Sequence, residues 1–258
     1  MNKTEDMGMV LQDNQVRVKM FGAVELQNNI GHVIENRRRS SLPWRLIKYL
    51  LLNSKREVSA EEIVETLFSH IESSNPEVHA RVNLRRAREA LKPMGLDGTK
   101  GLILFFDGHY RINYDLELIT DEDIFVDLMN KIRKTTEDEP IGLNMCINAL
   151  ELCRGRFMRY TEDYYWLRDH RRYYCSEFCD LAITTIGRMR TLDDDSAVSL
   201  LCRSAADIVP EEEIVHREII RYLVDTNQER SLMNYMAQLS HYNSTGPRWL
   251  KDMEDRNR

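Results

Sequence analysis

The chain reads as an α+β winged-helix domain followed by an all-α, tetratricopeptide-like helical domain. Three observations predict this division. Short β-patterned segments, three helical stretches and a second β-hairpin succeed one another up to about Tyr114; strand signals vanish beyond Thr120; and the balance of charge changes sign between the two parts. The boundaries implied are 14–118 for the first domain, 119–245 for the second and 246–258 for a tail.

With 258 residues, 42% of them hydrophobic and 30% charged, the chain can bury a sizeable core and is too apolar for a disordered protein. No apolar run approaches the roughly 18 residues of a spanning helix, so no membrane partner is expected. The opening segment MNKTEDMGMV has acids where an export signal carries its basic residues, and a cytoplasmic location is expected. The five cysteines, Cys146, Cys153, Cys175, Cys179 and Cys202, lie in helical stretches and read as reduced core thiols. Residues 14–114 carry 16 Lys and Arg against 11 Asp and Glu, whereas residues 119–258 carry 19 against 26. A basic first part is thus joined to an acidic second part, which permits a nucleic-acid face on a chain whose overall net charge is −6.

Along the first part, Val16, Val18 and Met20 alternate with Arg17, Lys19 and Phe21. Gly22 breaks the run before Val24 to Leu26, and a small antiparallel sheet over Val16 to Ile34 follows. After the run Arg37-Arg38-Arg39, Pro43 suits the first turn of a helix over Leu42 to Asn53, with Leu46, Ile47, Leu50 and Leu51 on its apolar face. Ser59 with Glu62 is a capping box for a second, short helix containing Ile63, Val64 and Leu67. A third helix starts at Pro76 and runs to about Lys92, where Pro93 and Gly95 end it. Leu102 to Phe106 and Tyr110 to Tyr114, joined by Asp107-Gly108, read as a hairpin.

Beyond Thr120 amphipathic helices are expected over Asp123 to Lys134, Ile141 to Cys153, Tyr164 to Met189, Ser196 to Val209 and Glu211 to Asn227. Pro140, Gly155, Asp193-Asp194-Asp195 and Pro210 punctuate them, as stacked hairpins require, although no two copies keep a fixed period.

The third helix carries the sharpest chemistry. At about 100° per residue, Ala80, Leu84, Ala87, Leu91 and Met94 form one buried sector, and Arg81, Arg85, Arg88 and Lys92 form a cationic stripe beside it. Arginine forks match guanine acceptors and either cation neutralises phosphate, so such a stripe can both read and clamp DNA. Val82 on the same side suits a thymine methyl. A solvated basic face is the competing explanation. No Walker A loop, G-x-G-x-x-G, G-x-S-x-G or H-E-x-x-H is present, so an enzyme is not expected, nor any cofactor. His170, Cys175 and Cys179 share a helix but lack the paired spacing of structural zinc, and Asp193-Asp194-Asp195 lacks a calcium loop, so no metal is expected.

Three segments, WRLIKYLLLNSKREVSAEEIVETLF, HARVNLRRAREALKP and LFFDGHYRINYD, resemble the OmpR-type winged-helix DNA-binding domain of the Streptomyces antibiotic regulatory protein family. ALELCRGRFM, Trp166 with Arg171 or Arg172 and Tyr173, Leu181-Ala182 and IVPEEEIVHREIIRYL are similar to that family's bacterial transcriptional activation domain. Phe68, Ala87 and Asn227 depart from its usual tryptophan, leucine and glycine. The resemblance implies a sequence-specific transcription regulator, an activator that recruits RNA polymerase, acting as a homodimer on directly repeated sites in double-stranded DNA. Arg85, Arg86 and Arg88 fall at its base- or phosphate-facing positions, with Arg81 and Lys92 added from geometry. His109 and Arg111 lie on its wing, and His70 to Asn75 match the segment that approaches the polymerase. The alternative is a protein-interaction scaffold whose tetratricopeptide-like hairpins bind a partner and whose winged helix no longer binds DNA.

Overall fold

The computed structural model describes residues 11–36, 42–68, 76–98 and 101–242. The Arg37-Arg38-Arg39 run, the loop His70 to Asn75 and the expected tail lie outside the described residues. The chain divides into two units. One holds the residues up to Asp121 together with Met158–Trp166; the other holds Glu122–Phe157 and the chain from Leu167 onward.

In the first unit, β1 (Gln15–Lys19), β2 (Glu25–Gln27) and β3 (His32–Ile34) form the expected antiparallel meander, with Val16 and Val18 buried on one face. A fourth strand, absent from the sequence reading, joins it: β7 (Glu117–Thr120) pairs in parallel with β1, Val16 opposite Leu118 and Val18 opposite Thr120. The expected boundary after 118 therefore cuts through a strand. Just past β7, the buried Asp121 carboxylate accepts the amides of Met20, at 2.7 and 2.8 Å, and Phe21, at 3.1 Å, which ties the end of this region to the end of β1. Met158 and Arg159 donate their amides to the carbonyls of Met20 and Gly22, at 2.7 and 2.8 Å, so a strap from far along the chain completes the same unit.

Between the sheets lie α1 (Leu42–Leu52), α2 (Ala60–Ile63) running into a π-helical turn (Val64–Phe68), and α3 (Pro76–Ala90). Leu46, Ile47 and Leu50 of α1 meet Ala80, Leu84 and Ala87 of α3 in the core, the buried sector anticipated from helical periodicity. Ser59 caps α2, its Oγ accepting the Glu62 amide at 3.0 Å. The expected reciprocal half of the box is replaced: the Glu62 carboxylate is held by Arg56 at 2.5 and 2.9 Å and by the Tyr49 hydroxyl at 2.5 Å. A buried ion pair joins Lys48 to Glu35 at 2.5 Å. After α3, a 3-10 turn (Lys92–Met94) is closed by Gly95 at φ 67°. The helix thus stops two residues earlier than its pattern implies, because Pro93 cannot continue it.

A three-stranded sheet completes this unit, in the order β4 (Val58–Ser59), β6 (His109–Ile112), β5 (Ile103–Phe106).

In the second unit the described chain is helical: α4 (Asp121–Ile132) from its second residue onward, α5 (Pro140–Leu152), α6 (Tyr165–Leu192) from Leu167, α7 (Val198–Ile208), α8 (Glu213–Asp225) and α9 (Glu229–Tyr242). α7 packs on α5, α8 and α9, and α8 on α9, in hairpin fashion. α9 was not anticipated; it buries Tyr235 and Leu239. Arg188 of α6 is buried and donates to the carbonyls of Ile132, Thr135 and Thr136, closing the C-terminal end of α4. Gly142 is required beside it, since a Cβ there would lie 1.9 Å from the Arg188 guanidinium. No helix among the described residues is long and apolar enough to cross a membrane.

Candidate nucleic-acid interface

α3 and the β5–β6 hairpin both belong to the first unit and meet where Arg88 reaches Ile103. α3 exposes Arg81, Arg85 and Arg86, and Lys92 follows in the 3-10 turn, also exposed. Val78 and Val82, 49% and 37% exposed, stand one turn apart on the same helix. From His79 to Lys92 five cations meet one acid, Glu89, which lies 3.6 Å from Arg85 in an exposed i, i+4 pair worth little in water.

Arg88 departs from the outward position expected for it. It is half-buried, and its Nε and Nη2 donate to the Ile103 carbonyl at 3.2 and 3.0 Å. The stripe drawn on a helical projection ignores the hairpin, whose first strand crosses close enough to capture this guanidinium. Arg88 therefore fastens β5 to α3. Arg81 and Arg88 also act on Tyr110, whose hydroxyl is pushed above its ordinary range by burial while their positive charges oppose that rise.

The hairpin is held at its other end as well. Asp107 and Gly108 adopt φ 46° and 76°, the left-handed pair of a type I′ turn, which glycine and aspartate tolerate. The Gly108 carbonyl accepts the Ala60 amide, at 2.8 Å, at the start of α2, and β4 pairs Val58 with Tyr110. His109 is exposed, its Nδ1 2.7 Å from the Asp107 carbonyl. Arg111 is half-buried, 3.8 Å from Glu57 and 4.6 Å over the Tyr114 ring. Both wing residues named from the sequence thus have neighbours in the protein that orient them.

Side-chain alternation along the ladder puts Ile103, Phe105, Tyr110 and Ile112 on one face and Leu104, Phe106, His109 and Arg111 on the other. Phe105 rests on the Tyr110 ring, centroids 4.7 Å apart. Phe106, which the sequence reading did not single out, is 81% exposed. Its signal was available: two consecutive phenylalanines in a period-2 strand cannot both face the core.

Met158–Trp166 approaches α1 and the π-helical turn rather than the α3 side. Arg45 lies 4.2 Å over the Tyr164 ring and donates to the Leu67 carbonyl at 3.3 Å; Trp166 meets Tyr49 edge-on at 5.4 Å; and the Tyr165 hydroxyl donates to Thr66 Oγ1 at 3.1 Å. Burial raises the Tyr164 hydroxyl to about 12.

Among the described residues, no group of three or more His, Cys, Asp and Glu side chains could hold a metal ion. His170 stacks on Phe157, the Cys175 thiol lies 3.8 Å from the Ile208 carbonyl, and burial pushes the thiols of Cys179 and Cys202 up to about 11 and 12. Asp194 accepts the Ser196 amide at 2.9 Å and Asp195 the Tyr222 hydroxyl, so two of the three aspartates serve the fold itself.

No protein-family model matches the chain, and no curated protein matches it in sequence. Among solved structures it is similar to Mycobacterium tuberculosis EmbR in complex with a low affinity phosphopeptide, with a TM-score of 0.55 and 14% identity over 93% of this chain. It covers 64% of that chain, less than two thirds of its length. The likeness shows the fold: an α+β winged-helix domain followed by an all-α helical domain.

Proposed function

We propose that the chain is a sequence-specific DNA-binding transcription regulator of the Streptomyces antibiotic regulatory protein type. The observation that carries this reading is the face on which Arg81, Arg85, Arg86 and Lys92 surround Val78 and Val82, beside a hairpin anchored at base and tip. Forked cations next to small apolar groups suit a major groove, where guanine offers two acceptors and thymine a methyl. Arg85 and Arg86 are the readers in this account, Arg81 and Lys92 the phosphate clamps, His109 and Arg111 the wing contacts, and Arg88 a positioning residue. The finer steps, activation through RNA polymerase and homodimers on directly repeated sites in the cytoplasm, rest on the family resemblance alone.

The test is selection of duplexes from a random pool, followed by salt titration of binding. Neutralising about five phosphates gives a log-log slope of roughly −4 to −5. A flat salt response, or no enrichment of any sequence, would sink the proposal and favour the scaffold reading. That alternative draws on Arg88 and Arg85 having protein partners, and it expects retention of a protein by the acidic helical unit with no duplex bound.

A further inference from the structure

We infer that Phe106 is a wedge that the wing drives into a base step of duplex DNA, bending the site beside the one α3 reads. This rests on the DNA-binding reading above and adds a contact that reading does not contain.

A single exposed apolar side chain is ordinary, so Phe106 at 81% exposure matters only if its position has a reason. Here folding does not supply one, because the ring faces away from the core: its neighbour Phe105 takes the place against Tyr110. Nor is the ring carried on a loose loop. The hairpin is fixed by Arg88 at Ile103, by the Ala60 amide at Gly108 and by the Val58–Tyr110 pairing, so Phe106 is presented in a set direction with little ordering entropy left to lose on contact.

The occupant follows from the DNA-binding reading of α3, to which Arg88 fastens this hairpin. Phe106 shares its face with His109, directly across the ladder, and Arg111, two pairs further from the turn. Arg81 and Arg88 of α3 act on the hairpin's other face, at Tyr110, and Asp107 at the turn is the one acid between Gly101 and Ile112. A flat aromatic ring held rigidly beside the α3 face proposed for DNA suits a stack of bases better than a hydrophobic protein patch. Ile103 to Phe106 advances roughly 10 Å at about 3.3 Å per residue, so the ring reaches past the Arg88 anchorage toward the flank of a helix-bound groove. Apolar side chains inserted from a minor groove unstack one step and bend DNA by roughly 20–90°.

The experiment uses the full chain on duplexes it has enriched, with bending measured by energy transfer between end labels and unstacking by 2-aminopurine placed step by step along the flank. The wild-type protein is expected to bend its site and brighten 2-aminopurine at one flanking step. Phe106→Ala should abolish both signals and weaken binding roughly three- to tenfold, and Phe106→Leu should retain most of the bend. In either variant the base preference set by Arg85 should stay unchanged. Binding by wild type with no bend, or equal bends in wild type and Phe106→Ala, overturns the wedge and leaves the DNA-binding reading standing. If Phe106→Ala lowers binding only on duplexes with two sites, the ring contacts a second copy of the chain and the wedge is wrong. Absence of binding by wild type overturns both readings together.

Discussion

Arg85 and Arg88, one turn apart on α3, look interchangeable in the sequence, yet the fold gives them different work. Arg88 spends two donors on the Ile103 carbonyl, so Arg88→Ala strips a half-buried carbonyl of a charge-assisted partner. Stability should fall by about 1–3 kcal/mol in denaturant melts, and binding should weaken on all duplexes alike because the wing loosens. Arg85→Ala removes only an exposed pair with Glu89, so stability should stay within about 0.5 kcal/mol. Its loss should be roughly 1–3 kcal/mol on the preferred site and specific to a base position. A change of base preference in Arg88→Ala would contradict this assignment. The Lys48–Glu35 pair is a second such distinction, since both side chains are almost fully buried and Glu35 Oε2 has no hydrogen-bond partner among the described residues. Lys48→Met should cost about 3–5 kcal/mol by leaving a buried carboxylate, and adding Glu35→Met should recover most of it in the same melts.

The cap of α2 has a pH dependence that follows from its partners. Hydrogen bonds from Arg56 hold the Glu62 carboxyl below its ordinary range, with the Tyr49 hydroxyl helping and burial opposing. A carboxyl depressed on folding adds stability above its unfolded pKa, and that addition is lost as pH falls through its lower folded value. Urea midpoints measured from neutral to acidic pH should show this loss below the usual carboxylate range, and Glu62→Gln should remove that part of the slope. The serine of this cap was legible from Ser59 and Glu62; the Arg56 clamp was not, because it closes across a turn. The same divide runs through the fold. α1, α3 and the β5–β6 hairpin announced themselves through local period, proline and the Asp-Gly turn. β7 did not, since Glu117 and Leu118 become a strand only by pairing with Gln15 and Val16, a hundred residues earlier. α9 was legible by its local period, since Leu232, Tyr235, Met236 and Leu239 recur at i, i+3, i+4 and i+7. At the candidate interface the cations of α3 were readable, whereas Arg88's capture by Ile103 required the crossing of two segments.

A fragment ending at Tyr114 contains all three core helices and the wing but lacks β7 and the Asp121 carboxylate. It removes the strand that covers one edge of β1 and the carboxylate that accepts the Met20 and Phe21 amides, which invites edge-to-edge association. Extending it through Asp121 should raise its melting temperature and reduce aggregation, as read by scanning calorimetry and light scattering; equal behaviour of the two fragments would show that the parallel pairing contributes nothing. The strap Met158–Trp166 adds a consequence in time. During synthesis the sheet it joins is finished long before the strap exists, because Glu122–Phe157 must be made in between. At about 5–20 residues per second this interval lasts roughly two to seven seconds. For that interval the carbonyls of Met20 and Gly22 and the ring of Tyr49 face the ribosome's surroundings without the partners they later acquire. A nascent chain stalled before Met158 is therefore open to chaperones at this place, and one released after Trp166 is closed there. The two units also cannot be exchanged between proteins at a single cut, since a junction at Asp121 discards Met158–Trp166 and one at Trp166 carries Glu122–Phe157 along.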